Sequence, residues 1–430
     1  MNLSRRTFIL GAGAGAACVL LGKANPSDRI TVGVIGIGRQ TVQINLPQFF
    51  SMTDVQVTAV SDVDAWRLAN AKKQVEDAYG RQSPSGTFKA CKTYQDFREL
   101  VASQSLDAVF IGAPDHWHVQ MSMEAILAGK DVSCEKPLTR CIADGRKLSD
   151  LVTKHRRVFR TDSEFRSLEN FHRAVTLVRN GRIGQLRTIR TGVPLGDVGC
   201  PPQPDMPVPP ELDYERWQGP ATHAPYTEKR VHTPKSYERP GWMRHRYYCD
   251  GMITNWGAHL NDVAQWGNGT DRTGPIEVEA GGTYPPADSF WNVLLNFEAQ
   301  YRFSNGVRMF YKTDDKVYVR FEGSEGWIFA EYQKPLQAEP AAVLNSKIRD
   351  NEIHFPFKTD KRDFIDAVKS RGDTLEDAEV GHRTTSLCHL GNIAIQMGKE
   401  LQWDPAKERF TNSPEANALV NKWIQAPRRS

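Results

Sequence analysis

Gly36 and Gly38 close an apolar run that begins at Ile30, and Asp62 ends the next such run. A glycine turn directly after a strand lets the backbone approach a pyrophosphate, and the following helix points its N-terminal amides at the phosphate charge. A carboxylate ending the second strand is placed to hold ribose hydroxyls and to repel a 2′-phosphate, which favours NAD over NADP. Arg67, close by in the sequence, works against that preference. Thr41 stands where the third glycine of a G-x-G-x-x-G fingerprint belongs, a change expected to loosen the packing of helix on strand. Much further along, Asn255, His259 and Asp262 are spaced i, i+4 and i+7, one face of a helix if residues 251–262 are helical. An imidazole there is a proton acceptor near neutral pH. An amide at 255 can orient a hydroxyl or the imidazole but takes no proton, and Asp262 either orients His259 or caps local structure. Trp242, Arg244, Tyr247 and Tyr248 precede this stretch. Aromatic faces of that kind stack on sugar rings, while Tyr and Arg hydrogen-bond hydroxyls.

The elements that must position these groups alternate in the first part of the chain. Short apolar runs at 30–35, 55–61, 108–111 and 131–134 read as strands, and helical patterns cover 66–79, 94–101, 119–128 and 143–154. Such alternation predicts βαβ units and a parallel sheet. Pro47 falls inside the first crossover helix, which it should shorten or kink. Residues 194–240 hold eleven of the 25 prolines with little periodicity, a long structured loop or insertion. Aromatic and β-branched runs at 276–284, 291–297, 301–303, 307–311, 317–322 and 327–330 then predict an antiparallel sheet. Helices near 361–370 and 381–399 close the chain. The expected class is α/β, with an N-terminal dinucleotide-binding domain over residues 28–158. A C-terminal α+β domain with an open, mostly antiparallel sheet follows over 159–430.

The first 26 residues read differently. Ser4-Arg5-Arg6-Thr7-Phe8-Ile9-Leu10 followed by a short Gly/Ala-rich apolar run resembles a twin-arginine export signal, too short to span a bilayer. It predicts a periplasmic or secreted protein that leaves the cytoplasm already folded. Cys18 does not signal lipid attachment, because Gly15 stands where an aliphatic residue belongs. The formal net charge is +4, most of it carried by the leader, and no basic stripe points to nucleic acid. The mature part holds no apolar run of membrane-spanning length. The seven cysteines form no C-x-x-C pair, so neither zinc spacing nor a disulfide framework is present and no metal site is expected.

Two more segments identify a resemblance. Ala113-Pro114-Asp115-His116-Trp117-His118 and Glu135-Lys136-Pro137 each follow a predicted strand, at the carboxyl ends where open α/β sheets bind ligands. Together they are similar to the glucose–fructose oxidoreductase / inositol dehydrogenase / MocA family. Residues 179–184, 321–327, 390–394 and 403–405 extend the likeness over nearly the whole mature chain. The resemblance implies that Lys136 reaches the reacting hydroxyl, with the Lys136–Pro137 bond a candidate for cis geometry. It matches His259 to the family's histidine and puts Asn255 where the family carries aspartate, shifting proton handling to His259 and Lys136. It assigns Gly36, Gly38, Arg39, Asp62, Pro114, His118 and Glu135 to the cofactor, NAD in first place. Arg166, Trp242, Tyr248 and Asp262 are assigned to a carbohydrate substrate. It also implies a homo-oligomer built through the open sheet face.

Three functions fit. The first is an NAD-dependent oxidoreductase acting on a sugar or cyclitol hydroxyl, with the cofactor tightly held because free NAD is scarce outside the cytoplasm. The second is a redox-neutral glycosidase or lyase working through a transient 3-keto sugar and restoring its own NAD. The third is a sugar-binding protein that has kept the fold without the chemistry.

Overall fold

The computed structural model describes residues 29–196 and 198–423. The expected twin-arginine leader lies outside the described residues. Two sheets organise the rest. The first contains β1 (Ile30–Ile35), β2 (Val55–Ser61), β3 (Lys92–Tyr94), β4 (Ala108–Ile111), β5 (Asp131–Glu135) and β6 (Phe159–Asp162). They run in the order β3-β2-β1-β4-β5-β6 and every pairing is parallel. The central strands are buried nearly end to end, as a sheet covered on both faces requires. Val32, Val34 and Phe110 enter one core layer; Ile35, Val109 and Ile111 enter the other.

Two local details differ from the expectation and a third follows it. The sheet continues through β6, past residue 158. The helical pattern over 94–101 divides into β3 and a short helix, Phe97–Val101. Asp96 caps that helix by accepting from the Arg98 amide (2.9 Å), which fixes its start. Pro47, as expected, disturbs the first crossover helix: the chain takes a wide π turn over Thr41–Asn45 and resumes as α-helix at Leu46–Phe50, with Pro47 in the first turn. A proline there loses no intrahelical hydrogen bond.

The second sheet holds β7 (Leu186–Val193), β8 (Glu277–Thr283), β9 (Asn296–Arg302), β10 (Arg308–Thr313), β11 (Tyr318–Gly323), β12 (Trp327–Glu331), β13 (Gln337–Glu339), β14 (Leu401–Asp404) and β15 (Arg409–Phe410). Their order is β13-β12-β11-β7-β10-β9-β8-β14-β15, and only the β7–β10 pairing is parallel. The runs expected at 291–297 and 301–303 are replaced by the single strand β9. Its Phe297, Ala299 and Tyr301 turn inward while the residues between them face out, the period-two signature of a half-buried strand. Helices Glu169–Arg179, Gly257–Asn268 and Ala378–Met397 cover the inner face. The chain then returns to the first domain. Phe364, Ile365 and Val368 of helix Asp360–Ser370 pack in the same core layer as Phe49 and Phe110. The first domain therefore includes a helix from the later part of the chain.

Candidate active site

The glycine turn follows from steric limits. Gly36 has φ +83°, and a Cβ there would lie 2.5 Å from the Ala113 amide nitrogen, so no L side chain fits. Gly38 leaves open space: a Cβ would meet nothing nearer than the Gly112 carbonyl at 3.8 Å. Thr41 does not loosen this turn. It is fully buried, its hydroxyl donates to the Gly36 carbonyl (2.8 Å), and a Cβ on Gly112 would collide with it. The close approach usually made by the third glycine is made from the opposite side, by Gly112 after β4. Asp62 directly follows β2 and accepts from the Ile37 amide (2.6 Å) and the Asp64 amide (2.8 Å). A carboxylate accepts about four hydrogen bonds, so capacity for a ribose diol remains. An open cradle before a helix start, with a carboxylate at the next strand end, fits a nicotinamide dinucleotide.

The cradle opens into a cavity of 680 Å³. Gly36, Gly38, Arg39, Asp62, Pro114, His118, Glu135, Lys136, Trp242, Asn255 and His259 all line it, drawn from both domains. Lys136 follows β5 across a cis peptide bond to Pro137, and its ammonium donates to the Asn255 carbonyl (3.2 Å). Among the described residues no carboxylate lies within ion-pair distance of it. His118 lines the wall with both ring nitrogens engaged by its own chain, Nδ1 at 2.8 Å from the Pro137 carbonyl and Nε2 at 2.8 Å from that of Ala113. It thus holds the loops after β4 and β5 together. Glu135 is buried and accepts from Asn45 (3.0 Å); burial, and then the nearby Asp162, push its carboxyl up to about 7.

The helix expected over 251–262 breaks at Trp256, giving Met252–Asn255 and Gly257–Asn268. His259 points into the cavity from the second piece. Its ring stacks on Phe165 (centroids 4.6 Å apart) and its Nδ1 lies 3.4 Å from the Ser163 hydroxyl. Burial, and then the Lys136 charge, hold its pKa well below 6.5, so it is a neutral proton acceptor at neutral pH. Asp115, next to Pro114, is buried with one carboxylate oxygen unpartnered among the described residues, and burial pushes it up to about 7.

Three expected substrate contacts are elsewhere. Arg166 does not reach the cavity: it is buried and forms a two-pronged pair with Asp262 (2.7 and 2.6 Å), a further bond to Asp271 (3.1 Å) and one to the Leu375 carbonyl (2.7 Å). Asp262 lies in the same helical piece as His259, but both of its carboxylate oxygens are engaged by Arg166. Tyr248 is fully buried, its ring packed on Trp217 (4.8 Å) and His116 (5.1 Å). Trp242 stays on the cavity wall, joined by Trp256, Met252 and Tyr332, which sequence reasoning did not single out. Ser163 and Phe165, the partners of His259, carried no recognisable spacing signal.

Comparison with known proteins agrees with this geometry. Residues 30–163 match "Oxidoreductase family, NAD-binding Rossmann fold" and residues 196–430 match "Oxidoreductase family, C-terminal alpha/beta domain", the two domains of the Gfo/Idh/MocA group. A "Glycosyl hydrolase family 109 protein" of Saccharopolyspora erythraea is 30% identical over 159 residues, 37% of this chain and 34% of that protein. The "Myo-inositol 2-dehydrogenase" of Thermotoga maritima is 30% identical over 188 residues, 44% of this chain and 49% of that protein. These matches span between a third and a half of the relatives' length. The fold is shared with the aldose–aldose oxidoreductase of Caulobacter crescentus, at TM-score 0.63 and 18% identity over 87% of this chain and 99% of that one. With both of its domains matched, the chain belongs to the Gfo/Idh/MocA oxidoreductase family.

Proposed function

We propose that this protein is an exported NAD-dependent oxidoreductase that acts on a sugar or cyclitol hydroxyl and keeps its cofactor between turnovers. The observation that carries the reading is the convergence of Lys136, Asn255 and His259 at one end of a dinucleotide-shaped cavity. When bound, NAD supplies the acceptor for a hydride from the carbinol carbon. Lys136 holds the reacting hydroxyl, with its ammonium oriented by the Asn255 carbonyl. His259, kept neutral by burial, accepts the hydroxyl proton directly or after Lys136 has moved it. The Asn255 amide orients a neighbouring hydroxyl. Trp242 and Trp256 offer faces for the sugar ring and, with Tyr332, keep water from that end.

Asp62 favours NAD over NADP, and Arg67 is already engaged by protein groups (Nη1 to the Ile37 carbonyl, 3.1 Å; Nη2 to the Ser236 carbonyl, 2.7 Å). The twin-arginine leader supports a periplasmic or secreted location. An oligomer through the outer face of the second sheet is supported by the row Phe310, Arg190, Arg320 and Phe329, which pair across three strand junctions on the uncovered side.

The second reading, a redox-neutral glycosidase, is favoured by the glycoside-hydrolase names among the relatives and by the proposed export, since outside the cytoplasm a net dehydrogenase has no pool of free NAD to exchange for its NADH. One experiment separates the two. Purify the mature protein without added cofactor, identify bound nucleotide by mass spectrometry, and supply sugars and glycosides. Oxidised sugar formed together with a reduced partner sugar supports the oxidoreductase. Glycoside cleavage with no added NAD supports the glycosidase, and absence of any nucleotide affinity overturns both.

A further inference from the structure

The proline-rich segment has a structural role that its composition does not reveal. Residues 212–248 form a small body with its own core of Leu212, Tyr214, Trp217, Tyr226, Val231 and Tyr248. This body belongs to the second half of the chain, yet it is fastened to both lips of the dinucleotide cleft in the first domain. At the β2 lip the Ala65 amide donates to the Glu211 carbonyl (2.8 Å) and the Asp213 amide to the Val63 carbonyl (3.0 Å). At the β4 lip, His116 Nε2 and Trp117 Nε1 each lie 3.0 Å from the Trp217 carbonyl. Gly219, with φ +48°, lies flat against the Trp117 ring, where a Cβ would collide. His232 and Trp242, both from this segment, form part of the cavity wall.

Arg67 joins the two bodies at the nucleotide end. Its guanidinium bonds the Ile37 carbonyl, inside the glycine turn, and the Ser236 carbonyl, on the segment. It also stacks over the Tyr237 ring (4.9 Å), beside which Trp66 packs (5.2 Å). His232 Nε2 lies 3.1 Å from Asp64 and 3.4 Å from Arg67 Nε. Burial opposes charge on Asp64, but His232 and Arg67 outweigh it and hold the carboxyl below its ordinary range. One arginine thus ties the pyrophosphate turn to the covering segment through charge-assisted bonds in a water-poor place.

We propose that residues 212–242 are a strap across the dinucleotide cleft, latched by Arg67, and that the cofactor leaves only when this latch opens. The proposal rests on the oxidoreductase reading and deepens it: the strap is the means by which an exported enzyme keeps its NAD.

The test is nucleotide release. Wild-type protein is loaded with NAD, freed of excess by gel filtration, and the retained nucleotide is followed by mass spectrometry in buffer containing an NAD-degrading enzyme. Arg67→Met keeps the stem and removes the donors; release should be about tenfold faster. Tyr237→Ala is the second variant. Tyr237 does not line the cavity, so faster release from this variant has to act through the strap. Far-UV circular dichroism of the nucleotide-free proteins checks the fold, and trypsin should cut the segment faster in both variants than in NAD-loaded wild type. Wild-type release rates in both variants overturn the strap and leave the oxidoreductase reading standing. Faster release from Arg67→Met alone means that Arg67 holds the nucleotide directly, and also overturns it. A wild-type chain with no affinity for NAD overturns the functional reading itself and the strap with it.

Discussion

Two cations reach the helical stretch over residues 252–268 and end in opposite conditions. Lys136 makes one hydrogen bond, to the neutral Asn255 carbonyl, and faces the cavity. Arg166, seven residues further along the same stretch at Asp262, spends its donors on two carboxylates and a carbonyl and stacks on Trp266. The same contrast holds more widely. Arg140 pairs with Asp250, Arg160 with Asp363, and Lys361 with Asp162 and Asp360, all buried. A buried charge paired with an opposite charge holds elements together, since removing one partner leaves the other uncompensated. A donor with spare capacity at a cavity wall is available to a substrate. Residue type and approximate location do not separate the two classes; the number of partners does.

Breaking each side of this contrast should have different consequences. The largest effect expected is from Lys136→Ala: turnover with a responsive sugar falls by roughly 10³–10⁴-fold, while the melting temperature stays near wild type. Full turnover in that variant would remove Lys136 from the chemistry. Arg166→Met should do the reverse, because Asp262 is left buried without its partner. A stability loss of about 3–5 kcal/mol by denaturant titration is expected, with turnover per folded molecule unchanged. A lower turnover at wild-type stability would return Arg166 to the substrate site. His259→Asn should lower turnover by roughly 10²-fold and flatten the acid limb of the pH–rate profile; an unaltered profile would mean that another group takes the proton.

The smallest effect concerns protonation and stability. Burial pushes His116 down to about 3 from its ordinary 6.5. The folded chain therefore keeps this imidazole neutral where the unfolded chain protonates it. The stability it supports is present above pH 6.5 and is lost as pH falls towards 3, with a slope of about 1.4 kcal/mol per pH unit for one proton. Asp115 and Glu135, pushed up to about 7, act in the opposite sense between about 7 and 4. Comparing His116→Asn with wild type isolates the histidine: stability of the variant should fall less steeply between pH 6.5 and 4. Parallel curves would mean that His116 is not held neutral in the folded chain.

Much of the cofactor end was legible in the residues because its requirements are local. A tight turn, a strand end and a helix start occupy consecutive positions, so Gly36, Gly38 and Asp62 could be read without knowing what lay around them. Thr41 was misread for a related reason. Its compensation comes from Gly112, on another strand, and spacing within one segment carries no trace of it. The family resemblance assigns Arg166, Asp262 and Tyr248 to the substrate. Their partners Asp271, Leu375 and Trp217 come from distant parts of the chain and use up the polar capacity that made the assignment attractive. The proline-rich segment was recognisable as ordered and unusual, but its destination was not.

The sequence by itself determined the alternation that makes a parallel sheet, the glycine turn at its first strand end, and the motif residues Lys136 and His259. These follow from side-chain period and backbone sterics, which act over a few residues. The tertiary structure alone decided that the chain returns through Phe364 and Val368 to complete the first domain, that Arg166 takes up the carboxylate of Asp262, and that Arg67 is tied to Ser236. Each of these depends on which saturating partner another element brings within hydrogen-bond reach, and no spacing along the chain encodes that encounter.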